Sequence, residues 1–334
     1  MSETLSRQVA PRSAKRPPLT HVPLSNTPLP PLDATVAPWP GQQERVGDLD
    51  LHVRRTPGAD DVTVVYVHGL GGSSTNWTDL AGLLAPHAGG IALDLPGFGF
   101  SEPKDGFTFS LTAHSEVVAD FIERNSTRPV HVVGNSMGGA VSLLLAAKRP
   151  DLVRTLTLIS PAMPDRRPDP RRLSDPRMAL AYLPFVGRRV RRQLAAMGPR
   201  ERAQQVIRLC FADPESFPAH RFDELADEHS KRAGFAWANM AMARSTFEIF
   251  RAWFTRGERS LWAVAPTVEV PTLVVWGTKD KVISVRRAAR TAQLMPRARL
   301  LVLPKTGHVA QMERPVTVAR AVLGMWESVE AGTW

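Results

Sequence analysis

The chain is almost without cysteine: Cys210 is the only one in 334 residues. No internal disulfide can form, which excludes a disulfide-stapled secreted fold. No Cys/His group has zinc-ligand spacing, and the nine histidines contain no H-E-x-x-H. Gly-X-Y, heptad and longer repeats are missing, so collagen-like, coiled-coil and solenoid architectures drop out. Long apolar runs are missing too. The longest uncharged stretch near membrane length, residues 129–147, carries His131, Asn135, Ser136 and three glycines. It reads as strand, turn and helix rather than a membrane span. The N-terminus has no apolar h-region and is not a secretory signal, so a cytoplasmic location is the expectation.

What is present is ordinary for a soluble globular protein: 43% hydrophobic and 22% charged residues. The net charge of +10 is unevenly placed. Residues 165–262 hold 18 Arg and one Lys against 12 Asp and Glu, a surplus of seven. Nucleic-acid binding is not expected, because no helix-turn-helix, RNP or zinc signature accompanies this charge and acids are mixed into it.

Residues 1–40 carry nine prolines and read as an extended, largely disordered leader, with Val36 and Trp39 able to pack near its end. Eight short β-type segments follow, at 44–46, 51–54, 62–67, 91–93, 130–133, 156–159, 272–276 and 300–303. Helical patterns at 76–84, 111–123, 137–148, 285–295 and 315–330 alternate with them. This alternation predicts an α/β fold with a mostly parallel, doubly wound eight-stranded sheet. It breaks between residues 162 and 264, where amphipathic stretches at 178–183, 188–197, 201–211 and 240–253 predict a helical insertion after the sixth strand. The predicted organisation is a leader over 1–40, a core over 41–164 and 263–334, and a cap over 165–262.

Gly134-Asn135-Ser136-Met137-Gly138 is a G-x-S-x-G placed after one strand and before one helix. That context suits a nucleophile elbow, in which a strained turn lifts Ser136 clear of the sheet. With His68-Gly69-Leu70-Gly71-Gly72 after an earlier strand and Asp94-Leu95-Pro96-Gly97-Phe98-Gly99-Phe100-Ser101 after another, the chain resembles the α/β-hydrolase superfamily, in its serine-nucleophile, helical-cap branch of esterases and lipases. The resemblance covers about residues 42–164 and 263–330. It implies that the backbone N–H groups of Leu70 and Met137 form the oxyanion hole, and that His68, Gly69, Gly71, Gly134 and Gly138 support the loop and the elbow. Asp94 would shape the site floor without a catalytic role.

The family's order of serine, acid and histidine points to Asp280, after the seventh strand, and His308, after the eighth. Ser136 would attack, His308 would move its proton and Asp280 would orient the imidazole. Asp165, after the sixth strand, is the alternative acid; Asp280 is preferred because its surroundings match the commoner pattern. His131 reads as a packed strand residue.

A serine nucleophile argues against epoxide opening and halide displacement, which use aspartate in this family. It points to acyl transfer, with a carboxylic ester of an apolar acyl group as the expected substrate and no cofactor or metal. Carbon–carbon hydrolases, perhydrolases and acyltransferases can run on the same triad, and a non-catalytic ligand-binding member would keep the fold alone. The GNSMGG elbow resembles that of carbon–carbon hydrolases, but Val309 stands where those have tryptophan. In the cap, Phe185, Trp237, Met240 and Trp253, with Met242, Phe247, Phe250 and Phe254, are candidates to line an acyl pocket; the plainer expectation for each is cap core. Arg188, Arg189, Arg191 and Arg192 beside Phe185 are candidates for weak contact with an anionic membrane surface or for attracting acidic substrates; the plainer expectation is a solvated basic helix face.

Overall fold

A computed structural model describes residues 21–33, 35–59, 63–167, 169, 188–189, 192–193 and 196–334. Its eight strands are β1 (Gly41–Val46), β2 (Leu49–Thr56), β3 (Thr63–Val67), β4 (Gly89–Leu93), β5 (Val130–Asn135), β6 (Val153–Ile159), β7 (Thr272–Gly277) and β8 (Ala298–Leu303). They form one sheet in the order β1-β2-β4-β3-β5-β6-β7-β8. The β1–β2 and β2–β4 pairs are antiparallel and the other five are parallel. The helices that matter here are α1 (Thr78–Leu84), α2 (Leu111–Asn125), α3 (Met137–Lys148), α4 (Pro199–Cys210), α5 (Ala219–Ala233), α6 (Ala238–Phe254), α7 (Ala288–Leu294) and α8 (Pro315–Glu330). The predicted fold class is therefore observed.

Strand alternation sorts the core into two layers. In β3, Val65 and Val67 face one side, with Val132, Leu156 and Leu158, beneath α2 and α3. Val64 and Tyr66 face the other, with Val133, Leu273 and Val275, beneath α1 and α8. Burial on both faces is why these strands read as unbroken β-branched runs. The chain leaves β3 for β4 on one side and later returns to β5 on the other. This reversal opens a crevice at the carboxyl ends of β3 and β5, where open α/β sheets place their sites.

β6 and β7 are neighbours in the sheet, so α4, α5 and α6 form an excursion between two adjacent strands. The expected helix at 178–183 lies outside the described residues, as do Phe185, Val190 and Arg191. Arg188, Arg189 and Arg192 are exposed. Helix α5 was not among the elements that periodicity predicts.

Residues 21–33 and 35–40 have no regular secondary structure, and part of this segment is tied to α8. Ser25 N–H donates to the Arg320 carbonyl at 2.9 Å, and Arg320 Nη1 returns a bond to the Ser25 carbonyl at 2.7 Å. Gly324 makes room for this crossing, since a Cβ there would stand 2.1 Å from the Pro23 carbonyl oxygen. Trp39 packs against the α1–α8 layer, whereas Val36 is exposed. No helix among the described residues is long and apolar enough to cross a membrane.

Candidate active site

The elbow is built by close packing. Ser136 has a φ of 55°, a conformation that costs a non-glycine residue of order 1–3 kcal/mol. The turn is held from both sides: Ser136 N–H donates to the Ile159 carbonyl at 3.0 Å, and its carbonyl accepts from Ala162 N–H at 2.8 Å. Glycine is required at both flanks. A Cβ on Gly134 would lie 2.5 Å from the Gly138 carbonyl oxygen, and one on Gly138 would lie 2.2 Å from that of Val67. That second contact presses the start of α3 against the end of β3 and hence against the His68–Gly71 loop.

The loop lies directly over the serine. A Cβ on Gly69 would come within 3.0 Å of Ser136 Cβ, and Gly71 takes a φ of 75°. Neither Leu70 N–H nor Met137 N–H donates to a partner among the described residues. His68 is buried and fixes the loop. Its Nε2 accepts from Leu95 N–H at 2.9 Å, so its proton resides on Nδ1, which donates to the Gly69 carbonyl at 2.7 Å. Burial pushes its pKa down to about 4, keeping the ring neutral in that tautomer.

Asp94 is structural, as expected. Its carboxylate accepts from His52 Nδ1 at 2.8 Å, Ser74 N–H at 2.6 Å and Phe100 N–H at 2.9 Å. His131 stacks on Trp326 with ring centroids 4.1 Å apart, and its Nδ1 lies 2.7 Å from Thr155 Oγ1.

Asp280 and His308 meet. Asp280 Oδ2 lies 2.9 Å from His308 Nδ1, and both residues are buried. Asp280 Oδ1 is occupied by Val282 N–H at 2.8 Å and Ile283 N–H at 2.9 Å. The carboxylate is thereby fixed, and Nε2 is left as the free face of the imidazole. Asn135, next to the serine, donates to the His308 carbonyl at 3.1 Å and ties β5 to the histidine loop. No hydrogen bond joins Ser136 Oγ to His308 Nε2 among the described residues; such bonds are often long without substrate and tighten when it binds. Asp165, the alternative acid, instead pairs with Arg287 Nη2 at 2.6 Å.

The cap supports this constellation through residues that the sequence did not single out. The carbonyl of Cys210, at the end of α4, accepts from His308 N–H at 2.7 Å. Glu313 accepts from Gly307 N–H at 2.6 Å and from Ala212 N–H at 3.2 Å, joining the histidine loop to the cap. From α5, Arg232 Nη1 donates to the Gly71 carbonyl at 3.0 Å. Glu228 accepts from Ser73 Oγ at 2.8 Å and Thr75 Oγ1 at 3.0 Å. Burial raises the Glu228 carboxyl above the ordinary range, and Asp94 adds to the effect.

The acyl-pocket candidates fare unevenly. Trp253 is cap core: it is buried, and its Nε1 donates to the Ala162 carbonyl at 2.9 Å, anchoring α6 to the end of β6. Met240 is exposed on the far side of α6, as are Phe247, Phe250 and Phe254; helical geometry turns this face away from Ala241 and Ser245, which are buried. Trp237 is half-buried and stacks on Phe235 with centroids 4.9 Å apart. Met242 reaches the site, for its Cε would stand 2.8 Å from a Cβ on Gly71.

A family model described as the alpha/beta hydrolase fold matches residues 62–315. The dihydrolipoyllysine-residue acetyltransferase component of the acetoin cleaving system of Cupriavidus necator is 30% identical over 263 residues, or 79% of this chain and 62% of that protein. The chain thus spans less than two thirds of that relative's length. A monoacylglycerol lipase of Mus musculus is 23% identical over 274 residues, covering 80% of this chain and 76% of that one. Among solved structures, a membrane phospholipase A described as a bacterial virulence factor aligns with a TM-score of 0.69 and 26% identity, over 87% of this chain and 86% of the other.

Proposed function

The chain belongs to the α/β-hydrolase family, and from that premise we propose that it is a serine esterase acting on carboxylic esters with an apolar acyl group. The observation that carries this reading is the Asp280–His308 hydrogen bond of 2.9 Å, formed at the strand ends beside the strained Ser136 and its two free N–H donors.

In the proposed reaction, Ser136 Oγ attacks the ester carbonyl carbon while His308 Nε2 takes the hydroxyl proton. The carbonyl oxygen becomes an oxyanion and accepts from Leu70 N–H and Met137 N–H. Losing one such donor costs about 2.7–4 kcal/mol of barrier. His308 returns the proton to the leaving alkoxide, and an alcohol departs. Water, deprotonated by the same nitrogen, then attacks the acyl-enzyme and releases the acid. Asp280 holds Nδ1–H throughout and stabilises the imidazolium.

The assay is hydrolysis of p-nitrophenyl esters of increasing acyl length. One favoured length is expected, and no turnover of any ester would overturn the reading. Chromatography of the products separates hydrolysis from acyl transfer to an alcohol or thiol, which begins with the same intermediate.

The cap contacts add a second expectation. Arg232 Nη1 also lies 3.5 Å from Glu228 Oε1, so Arg232→Ala leaves that buried carboxyl group without its counter-charge and releases the Gly71 carbonyl. A stability loss of about 1–3 kcal/mol is expected, read from the denaturation midpoint. Turnover should fall by up to about 100-fold through displacement of the oxyanion loop, with little change in KM. Arg232→Lys, which keeps the charge, should recover part of both. An unchanged kcat in the alanine variant would show that the loop holds its shape without the cap.

A further inference from the structure

Helix α6 has two unlike faces. Ala241, Ser245, Ile249 and Trp253 are buried at four-residue spacing. This inner face stands over the site, with Met242 against Gly71 and Ala241 against Gly97. The outer face presents three phenylalanines to solvent: Phe247 is 65% exposed, Phe250 50% and Phe254 61%. Isolated exposed apolar residues are ordinary, but three rings on one helix face form a patch of the kind that marks an interaction site.

The charge around these rings says what kind of partner fits. Arg244 and Arg251 interleave with Phe247 and Phe254 along the same stripe, at spacings of three and four residues. Arg166 lies over the Phe254 ring, 5.4 Å from its centroid. Arg256 and Arg259 follow the helix and are exposed. The acids nearby are Glu248, bound to Arg251 at 2.5 Å, and Glu258. Phenyl rings flanked by arginines match the boundary of an anionic bilayer, where rings enter the acyl edge and guanidinium groups meet lipid phosphates. A second copy of the chain, paired isologously, would set these arginines against their own counterparts.

We propose that the outer stripe of α6, with Phe247, Phe250 and Phe254 as its apolar contacts and Arg244 and Arg251 as its phosphate contacts, docks the protein on anionic phospholipid. Because the inner face of the same helix stands over the oxyanion loop, docking brings the site to the surface into which apolar esters partition. That consequence rests on the esterase reading; the docking itself does not.

The test is co-sedimentation of the full chain with vesicles of equal parts phosphatidylglycerol and phosphatidylcholine, against vesicles of phosphatidylcholine alone. Selective binding to the anionic vesicles is expected, weakening as salt rises. Phe247→Ser with Phe250→Ser should lower partitioning about tenfold or more, as expected when apolar area leaves the interface. Arg244→Glu with Arg251→Glu should remove the preference for anionic lipid. These positions are exposed, so the melting temperature and turnover of a soluble short-chain ester should match wild type. Equal partitioning of wild type and the Phe247/Phe250 variant would overturn the proposal, as would equal binding to both vesicle types. A dimer on size exclusion that this variant dissociates would also overturn it, assigning the stripe to self-association. Vesicle binding is read without turnover, so an inert enzyme that still docks would sink the esterase reading alone.

Discussion

Ser136→Ala should abolish ester hydrolysis, with kcat falling on the order of 10⁶-fold. The substitution removes the one atom that forms the acyl bond and leaves the surrounding packing intact. Alanine fits the space, because the elbow is held by the Ser136 main chain to Ile159 and Ala162 rather than by the hydroxyl. The variant should therefore fold and melt close to wild type. Residual activity near the oxyanion-hole background, about 10³–10⁴-fold over water, would remain. A fluorophosphonate probe gives an independent readout: wild type should gain its mass on Ser136, and the alanine variant should not. Labelling at another residue, or equal activity in both proteins, would remove Ser136 as nucleophile.

Asp280→Asn should lower kcat by about 10⁴-fold, the scale of loss when the histidine of such a triad is left in the wrong tautomer. An asparagine NH₂ facing Nδ1 favours the proton on Nε2, where it blocks general-base action. Asp165→Asn provides the matched control. Asp165 is the other acid at a strand end, but its carboxylate is engaged by Arg287 at 2.6 Å. Its loss should lower the melting temperature and leave kcat within a few-fold of wild type. If the two variants exchanged these behaviours, the acid would be Asp165 and the Asp280–His308 contact would be structural.

Helices α3 and α8 span the predicted 137–148 and 315–330, because each is an apolar run of helix length that buries most of its residues. The β-branched runs were equally legible, since burial on both faces leaves no polar residue to interrupt them. Helix α5 was not legible for the opposite reason. Its buried residues include Arg221, Glu228 and Arg232, which are covered because they are paired: Arg221 with Asp79 at 2.7 Å, and Glu228 with the hydroxyls of Ser73 and Thr75. Its apolar face is only Phe222, Leu225 and Ala226, and so short a stripe inside a charged stretch gives periodicity little to register.

The cap shows the same limit on α6. A run of Met, Phe and Trp reads as a pocket lining, yet it divides into inner and outer faces only once the helix is docked. Ala162 fixes that rotation by accepting the Trp253 indole N–H, a contact 91 residues apart in the chain.

The amino-acid order by itself determined the layered α/β fold, the elbow at Ser136 and the candidate residues Asp280 and His308. These are local properties: strand and helix periods, glycines where a Cβ would collide, and polar residues just past strand ends. Only the tertiary structure decided between Asp280 and Asp165 as the partner of His308, and only it bound α5 to the His68–Gly71 loop and turned the phenylalanines of α6 outward. Each of those outcomes is a distance between segments far apart in sequence. Such distances are set by how the sheet orders its strands and how the cap docks on their carboxyl ends, and no local pattern encodes them.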